Sequence, residues 1–599
     1  MSATVADFLL DRLHDWGVRS IYGCPGDGVS GIVGALGRSE CKMQFVQARD
    51  AELAAFMACA HAKFSDEIGV CMATSGSGAL HLLNGLYDAK LDHQGVVVIV
   101  GQQKRGALPG GCHEEVDLMA LFKDVAPEFL EVATAPDQVR YLVDRAVQIA
   151  KDRRAVTCII IPGDLQELPA APLPKREVGA LQSGIGTGVM PSVPAPEGLR
   201  RAAEVLNAGK KVALLVGAGA LHATDEIIAV AEALGAGIAK ALLGKAAVPD
   251  DLAIVTGSIG ILGTQPSAQM MEECDTLLVV GSSFPYLEFL PSEGQARGVQ
   301  IDIDPRLVNL RYPMEVCLVG DSKATLAALL PLLRRKIDRS WQANIEDNVR
   351  HWWKVLEARA NISARPINPQ RVFRELSPRL PDNAIITVDN GPAAVWYARD
   401  VRLRRGMKAS LSGGLQAAGS SIAYAIAAKH LHPGRPVIAL ADDGAMQMNG
   451  INGLITIARM WPAWADKRLV IMVLNHSDLA LTAEEQRTPA SSPRAGSLQN
   501  LPQFAYADVA KMLGLHGLRV DHPDAVGPAW AAALRCRRPV LLEMAIDPEI
   551  QALPPSFDRK HLQAYLSALV QGDPAALKNI KATMRQWWAG KLAGSSANT

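Results

Sequence analysis

RPVIALADDGAMQMNGINGLITIARMWPAWADKRLVIMVLNHSDLAL, from Arg435 to Leu481, is the stretch whose reading decides the fold. The apolar run Val437 to Leu440 ends in Asp442-Asp443-Gly444, and an amphipathic segment follows. A second apolar run, Leu469 to Leu474, then ends in Asn475-His476-Ser477-Asp478. That order predicts strand, crossover helix, strand. Two parallel strands joined this way bring both polar tips to the carboxyl edge of one sheet, where open α/β sheets bind ligands. Carboxylate and amide oxygens beside an imidazole suit a divalent ion bridging a diphosphate, which makes Asp443, Asn475 and His476 the candidate metal ligands. The same residues also serve as ordinary turn chemistry after strands.

The strand and helix alternation extends outward in both directions. Ser20-Ile-Tyr-Gly-Cys-Pro-Gly, Val70 to Gly78, Val96 to Val100 and Val156 to Ile161 read as strands or strand-to-turn junctions, with helical periodicity between them. Further strands are expected at Val212 to Val216, Thr276 to Val280 and Val299 to Ile303. The fold expected is α/β, with three doubly wound parallel-sheet domains at residues 1–170, 196–335 and 368–548. A Pro/Gly/Ser-rich linker is expected at 171–195, a charged helical connector at 336–367, and a tail at 549–599 whose Trp587-Trp588 pair packs on a neighbour.

Composition narrows the function classes. The chain has 599 residues, 49% of them hydrophobic, with Lys+Arg 61 against Asp+Glu 61. A balanced charge gives no footprint for nucleic acid or for an acidic surface. The nine cysteines include no CxxC pair and no metal-spaced Cys/His cluster, so they read as small buried hydrophobes in a reducing compartment. The start, MSATVADFLLDRLHDWG, is helical in period with no basic-then-apolar leader, and no apolar run reaches the roughly 20 residues of a membrane span. A cytoplasmic enzyme acting on a small molecule, without membrane or nucleic-acid partner, is the expectation.

The Arg435–Leu481 block resembles the diphosphate-binding segment of thiamin-diphosphate (ThDP) enzymes, which read GDG, a helix, then a strand ending NN. Here Asp442 stands for the first Gly of GDG and His476 for the second Asn of NN, and PAWADKR lengthens the crossover. The wider chain resembles the pyruvate oxidase and acetolactate synthase branch of that family. The resemblance runs through YGCPGDG, TSGSGALHLLNGLYDAKLDH, VVVIVGQQ and IIIPGDL in the first block, and VGSSFPYLEF and VQIDIDP in the middle one. It implies a pyrimidine-type, a central FAD-type and a diphosphate-type domain. It also implies a homodimer or homotetramer in which the first block of one chain faces the third block of another.

The middle block has a reading of its own. Val212 to Gly219 is a strand ending in a Gly-Xaa-Gly turn, whose bare amides suit a diphosphate. Gly281-Ser-Ser-Phe-Pro and Asp302-Ile-Asp-Pro follow further strands, so the three loops are expected on one edge. In flavin-containing relatives such loops hold FAD. The resemblance assigns that role to Gly217, Ala218, Gly219, Gly281, Ser282, Ser283, Phe284, Asp302 and Asp304, with Asp321 of Gly320-Asp321-Ser322 as a further candidate.

The ThDP-facing positions depart from the family pattern. Where relatives carry an activating Glu ahead of an Ala-Ala-Phe helix, this chain reads Arg49-Asp50-Ala51-Glu52, and a methyl group relays no proton. The bulky residue that bends the cofactor corresponds to Ala418 in SGGLQAAGSSIAYAIAAK, and the Gln over the thiazolium corresponds to Glu114 in GGCHEEVDL. With Asp442 and His476 that makes five changes, and Asp442 adds negative charge where a diphosphate would lie. ThDP and Mg²⁺ are therefore expected to be absent.

Three readings of function follow. The first is an FAD-dependent oxidoreductase whose vacated cleft uses His476, Glu114, Asp50, Asp443 and His113 as its catalytic acid-base set. The second is a ThDP/Mg²⁺-dependent 2-oxo acid decarboxylase, oxidase or carboligase that works without the glutamate. The third is a non-catalytic partner subunit of an active homologue.

Overall fold

Apolar runs closed by glycine or polar turns become strands buried on both faces, the composition of parallel sheets covered by helices. The computed structural model describes residues 3–38, 43–172, 191–477, 501–550, 552, 553, 555 and 576–595. Residues 173–190 of the expected linker, Cys41, Asp478 and most of 549–575 lie outside the described residues.

The first sheet contains β1 (Ser20–Gly23), β2 (Gln44–Gln47), β3 (Gly69–Ala73), β4 (Val96–Gln102), β5 (Leu130–Val132) and β6 (Val156–Pro162). The second contains β7 (Val212–Val216), β8 (Gly237–Lys240), β9 (Val255–Ser258), β10 (Thr276–Val280), β11 (Arg297–Asp302) and β12 (Val316–Val319). The third contains β13 (Ile385–Val388), β14 (Lys408–Leu411), β15 (Val437–Asp442), β16 (Leu469–Asn475), β17 (His516–Val520) and β18 (Val540–Ala545). Their orders are β2-β1-β3-β4-β6-β5, β12-β11-β10-β7-β8-β9 and β14-β13-β15-β16-β18-β17. The described strand pairs are parallel, so the protein is α/β with three doubly wound sheets.

The opening stretch folds as its pattern requires. β15 pairs with β16 from Val437↔Leu469 to Asp442↔Leu474, and the crossover between them is helical from Asp443 to Met460. Its second segment, Met446–Gly450, is a π turn, a geometry that recurs at functional sites. The inserted PAWADKR folds back on the domain: Trp464 is buried, the Lys429 ammonium stands 5.8 Å from its ring centroid, and Asp466 pairs with Arg468.

The first and third domains share one apolar core within this single chain. Helix Ala51–Phe64 is buried almost all round, and so is helix Ser421–Leu431, which packs against it. Lys63 lies at that junction. Its Nζ donates to Asp92 Oδ2 at 2.6 Å, to the Leu411 carbonyl at 2.7 Å and to the Tyr424 hydroxyl at 2.6 Å, and Tyr424 in turn donates to Asp88. Asp92 also accepts the Gly413 and Gly414 amides, at 2.8 and 2.5 Å. Burial opposes the Lys63 charge, but Asp88 and Asp92 outweigh it and hold the ammonium above its ordinary range.

The connector contains helix Ser340–Ala360, with Trp341, Ile345 and Trp352 turned inward. The tail helix Ala576–Ser595 lies against it through Gly590, while Trp587 and Trp588 are exposed. The helix seats its small and polar residues Thr583, Gln586 and Gly590 inward, and the rings of Trp587 and Trp588 meet edge-on. The eight described cysteines are free thiols.

Lys63→Met should destabilise the chain by about 3–5 kcal/mol, because it leaves two buried carboxylates without their cation. Chemical unfolding measures this, and a loss below about 1 kcal/mol would show the junction to be held by apolar packing alone.

Candidate functional site

β13 and β15 are neighbours in the third sheet, yet the chain leaves them for opposite sides, which makes the gap between them the switch point where such sheets bind ligands. Their carboxyl ends present Asp389 and Asp442. Asp442 caps the crossover helix: its Oδ1 accepts the Ala445 amide at 2.9 Å. Its Oδ2 presses on Gly391, where any side chain would run into it and where φ is +140°, so that position takes glycine on both grounds. Asp389 accepts the Ser421 amide at 3.0 Å, the Ser421 hydroxyl at 2.5 Å and the Ser420 hydroxyl at 3.4 Å.

Two buried carboxylates that feel each other's charge resist ionising together. Burial, followed by the Asp389 charge, pushes the Asp442 carboxyl up to about 7. Burial raises Asp389 to about 6, against the pull of its Ser421 bonds.

Asp443 and His476 do come together. The His476 amide donates to Asp443 Oδ2 at 3.0 Å, and the imidazole Nδ1 stands 3.8 Å from Asp443 Oδ1. That nitrogen is buried and has no hydrogen-bond partner among the described residues. Asn475, the third candidate ligand, is engaged elsewhere: Nδ2 donates to Glu543 Oε1 at 3.0 Å, and Oδ1 accepts the Ser477 amide. Among the described residues no cluster of three or more His, Cys, Asp or Glu could hold a metal ion. Of the three candidate ligands, Asp443 and His476 thus stand side by side, while Asn475 bonds Glu543 of β18.

On the first domain Ala51 is buried in the shared core. Asp50 is the N-cap of its helix: Oδ1 accepts the Leu53 amide at 2.8 Å, and Oδ2 accepts from Asn452 of the crossover helix at 3.4 Å. Glu52 takes amide protons from Asn84 at 2.5 Å and Asn449 at 2.9 Å. Asp50 is thus a structural cap rather than the free acid or base expected of it. Glu114 adopts φ +61° and accepts from Ser75 Oγ at 3.2 Å, while His113 beside it is exposed. Ala418 is half-buried in a loop that Asn390 holds through the Ser412 and Ala417 carbonyls.

In the middle sheet β10 lies between β7 and β11, so the three predicted loops do meet on one edge. The glycines there serve each other. The Gly217 amide donates to Val280 O, Gly219 to Gly281 O and Gly281 to Ile301 O, and a Cβ on Gly219 would come within 2.8 Å of Gly281 Cα. Those amides are therefore not the bare donors expected, because close loop packing consumes them. Ala218 is half-buried, as is Ser283, and Ser282 is buried. Phe284 belongs to the core, edge-on to Tyr286. Asp304 is paired with Arg306 and Asp321 caps helix Ser322–Leu329. Asp302 is buried and accepts the Asp304 amide at 3.0 Å, and burial raises its carboxyl.

Sequence reasoning missed Asp389, Glu543 and the Asn449/Asn452 pair. Asp389 was findable, since Ile385–Val388 followed by Asp-Asn-Gly is the same strand-to-turn signal as at Asp442. Glu543 lies mid-strand in an apolar run, and its partners Asn475, Ala507 and Arg519 all come from other elements.

The buried Asp389 and Asp442 carboxyls set a pH dependence. An unfolded aspartate titrates near 4, so from about pH 4 to 7 the folded chain retains protons that the unfolded chain has lost. Stability from these groups falls as pH rises through that window, and above pH 7 the folded state bears the whole repulsion. Asp442→Asn should therefore stabilise the chain more at pH 8 than at pH 5, by on the order of 2–4 kcal/mol in unfolding free energy. Equal effects at both pH values would contradict the shared burial.

Three family models match in chain order: the thiamine pyrophosphate enzyme N-terminal TPP binding domain at residues 3–121, the central domain at 199–329 and the C-terminal TPP binding domain at 389–544. A putative thiamine pyrophosphate-containing protein, YdaP, from Bacillus subtilis is 32% identical over 553 residues, 91% of this chain and 92% of its own length. Pyruvate oxidase from Lactiplantibacillus plantarum is 29% identical over 73% of this chain and 72% of its own. A probable acetolactate synthase large subunit from Methanococcus aeolicus is 26% identical over 92% and 93%. With all three domain types in order and relatives aligned over nearly the whole length, the chain belongs to the thiamine pyrophosphate enzyme family.

Proposed function

We propose that this chain is an FAD-dependent oxidoreductase built on the thiamine pyrophosphate enzyme scaffold, acting on a small organic substrate without ThDP. The observation that carries the reading is the Asp442 carboxylate seated on the Ala445 amide against Gly391. The residues at this edge do not fit a diphosphate. The amide such a group would use is already bonded, the neighbouring charges are Asp389 and Asp443, and Asn475 is bonded to Glu543. At the opposite end, buried Ala51 offers no proton relay, and Glu52 is bonded to Asn84 and Asn449.

FAD is assigned to the middle-domain edge. The convergence of the β7, β10 and β11 loops supports this, as does the buried Asp302 carboxylate, the type of acceptor that pairs with a ribose hydroxyl. Ala218, Ser282 and Ser283 lie beside the interlocked glycines as the contacts for its phosphates. Bound flavin supplies two-electron redox chemistry, and the chain supplies position and proton handling. His476 is the acid-base group proposed, since its Nδ1 is buried with no hydrogen-bond partner among the described residues. The chain is further proposed to act as a homodimer or homotetramer in the cytoplasm.

A second reading keeps ThDP. The printed names of the relatives, pyruvate oxidase and thiamine pyrophosphate-containing protein, favour it. Mass spectrometry of the small molecules released on denaturing the purified protein separates the two. The expected result is FAD near one per chain and no ThDP; stoichiometric ThDP would sink the reading, and absence of flavin would sink its redox half. Light scattering should give a dimer or tetramer, and a stable monomer at micromolar concentration would contradict the assembly.

Restoring one residue should not restore 2-oxo acid chemistry. Ala51→Glu replaces the relay while Ala418 and Asp442 remain, so pyruvate turnover with added ThDP and Mg²⁺ should stay at the wild-type background. Turnover appearing in this variant alone would mean that Ala51 was the sole lesion.

A further inference from the structure

We propose that Asp442 is a built-in occupant: its side chain fills the seat at the start of the crossover helix, and replacing it with glycine opens that seat to inorganic pyrophosphate. The inference rests on the reading above that the edge no longer takes a diphosphate, and it names the residue responsible. A helix start leaves amides unbonded and concentrates positive dipole, so it takes either a capping side chain or an external anion. Here the Asp442 side chain is the cap and also takes up the room. Oδ1 holds the Ala445 amide at 2.9 Å, while Oδ2 lies against Gly391 and fills the space beside it.

A second observation marks the place as a ligand seat. His476 is 9% exposed, its Nδ1 lacks a hydrogen-bond partner among the described residues, and it stands 3.8 Å from Asp443, the first residue of the helix. A buried polar nitrogen without a hydrogen-bond partner at a helix start marks a place where a further polar group can bond. The Asp442 backbone, at φ −113° and ψ 173°, is ordinary extended chain, so other residues fit it without strain. The occupancy therefore comes from the side chain.

Titration calorimetry with sodium pyrophosphate, with and without Mg²⁺, tests this on the full chain. The wild type and Asp442→Asn, whose amide oxygen keeps the seat filled, should show no saturable binding. Asp442→Gly should bind at least about tenfold more tightly than either. Asp442→Ser keeps a capping hydroxyl but neither the bulk nor the charge; it should bind as well, and it decides the matter if the glycine variant fails to fold. Wild-type binding no weaker than that of the glycine variant overturns the inference, and so does the absence of binding in whichever of these two variants folds. The two readings fail separately. A flavin-free wild type with a pyrophosphate-binding Asp442→Gly removes the proposed function and keeps this inference. A flavin-loaded, ThDP-free wild type with an inert, folded Asp442→Gly does the reverse.

Discussion

The buried ion cluster of Lys63, Asp88 and Asp92 is the constraint on which the relation of the first and third domains depends. An ammonium enclosed by two carboxylates is tolerated in a core only when charge and hydrogen bonds offset the loss of water, and here most of those bonds cross the domain boundary, while Asp88 Oδ1 has only the Lys63 charge at 4.0 Å. Asp92 takes two backbone amides from Gly413 and Gly414, and Lys63 reaches the Leu411 carbonyl. Position is thereby transmitted from the first domain into the loop that contains Ala418, and apolar packing of the two buried helices does the rest.

That loop ends at Ser420 and Ser421, which bond Asp389, and burial, with the Asp389 charge second, raises the carboxyl of Asp442. The edge most suited to an anion in this topology thus holds two carboxylates near their titration range. Helix dipole and switch-point geometry are present, and Asp442 stands there where the family pattern has glycine. A scaffold keeps its fold through such a change because the sheet core, Val437–Ala441 and Leu469–Leu474, lies behind the edge and is indifferent to what caps it.

Much of this was legible in the sequence. The strands at Val212–Val216 and Thr276–Val280, and the crossover from Asp442 to Leu469, follow from apolar runs ended by turn residues, which are local signals. So do the five changed positions, because each stands in a recognisable motif. What sequence could not supply was the use each polar group is put to. Asp50 carries a carboxylate at a suggestive position, but the helix behind it leaves an amide that the carboxylate must cap. Gly217, Gly219 and Gly281 read as open amides, and their loops turn out to bond one another.

The sequence by itself determined three parallel α/β sheets and the family, since hydrophobic periodicity and turn chemistry are written in neighbouring residues. Only the tertiary structure decided which groups retain unused bonding capacity. Asn475 is taken by Glu543 from a strand 68 positions on, Asp442 feels the charge of Asp389 from another strand end, and His476 Nδ1 has no hydrogen-bond partner among the described residues. The reason is physical: a donor or acceptor is free or satisfied according to what packs within about 3 Å of it, and distant segments settle that only when the sheets close.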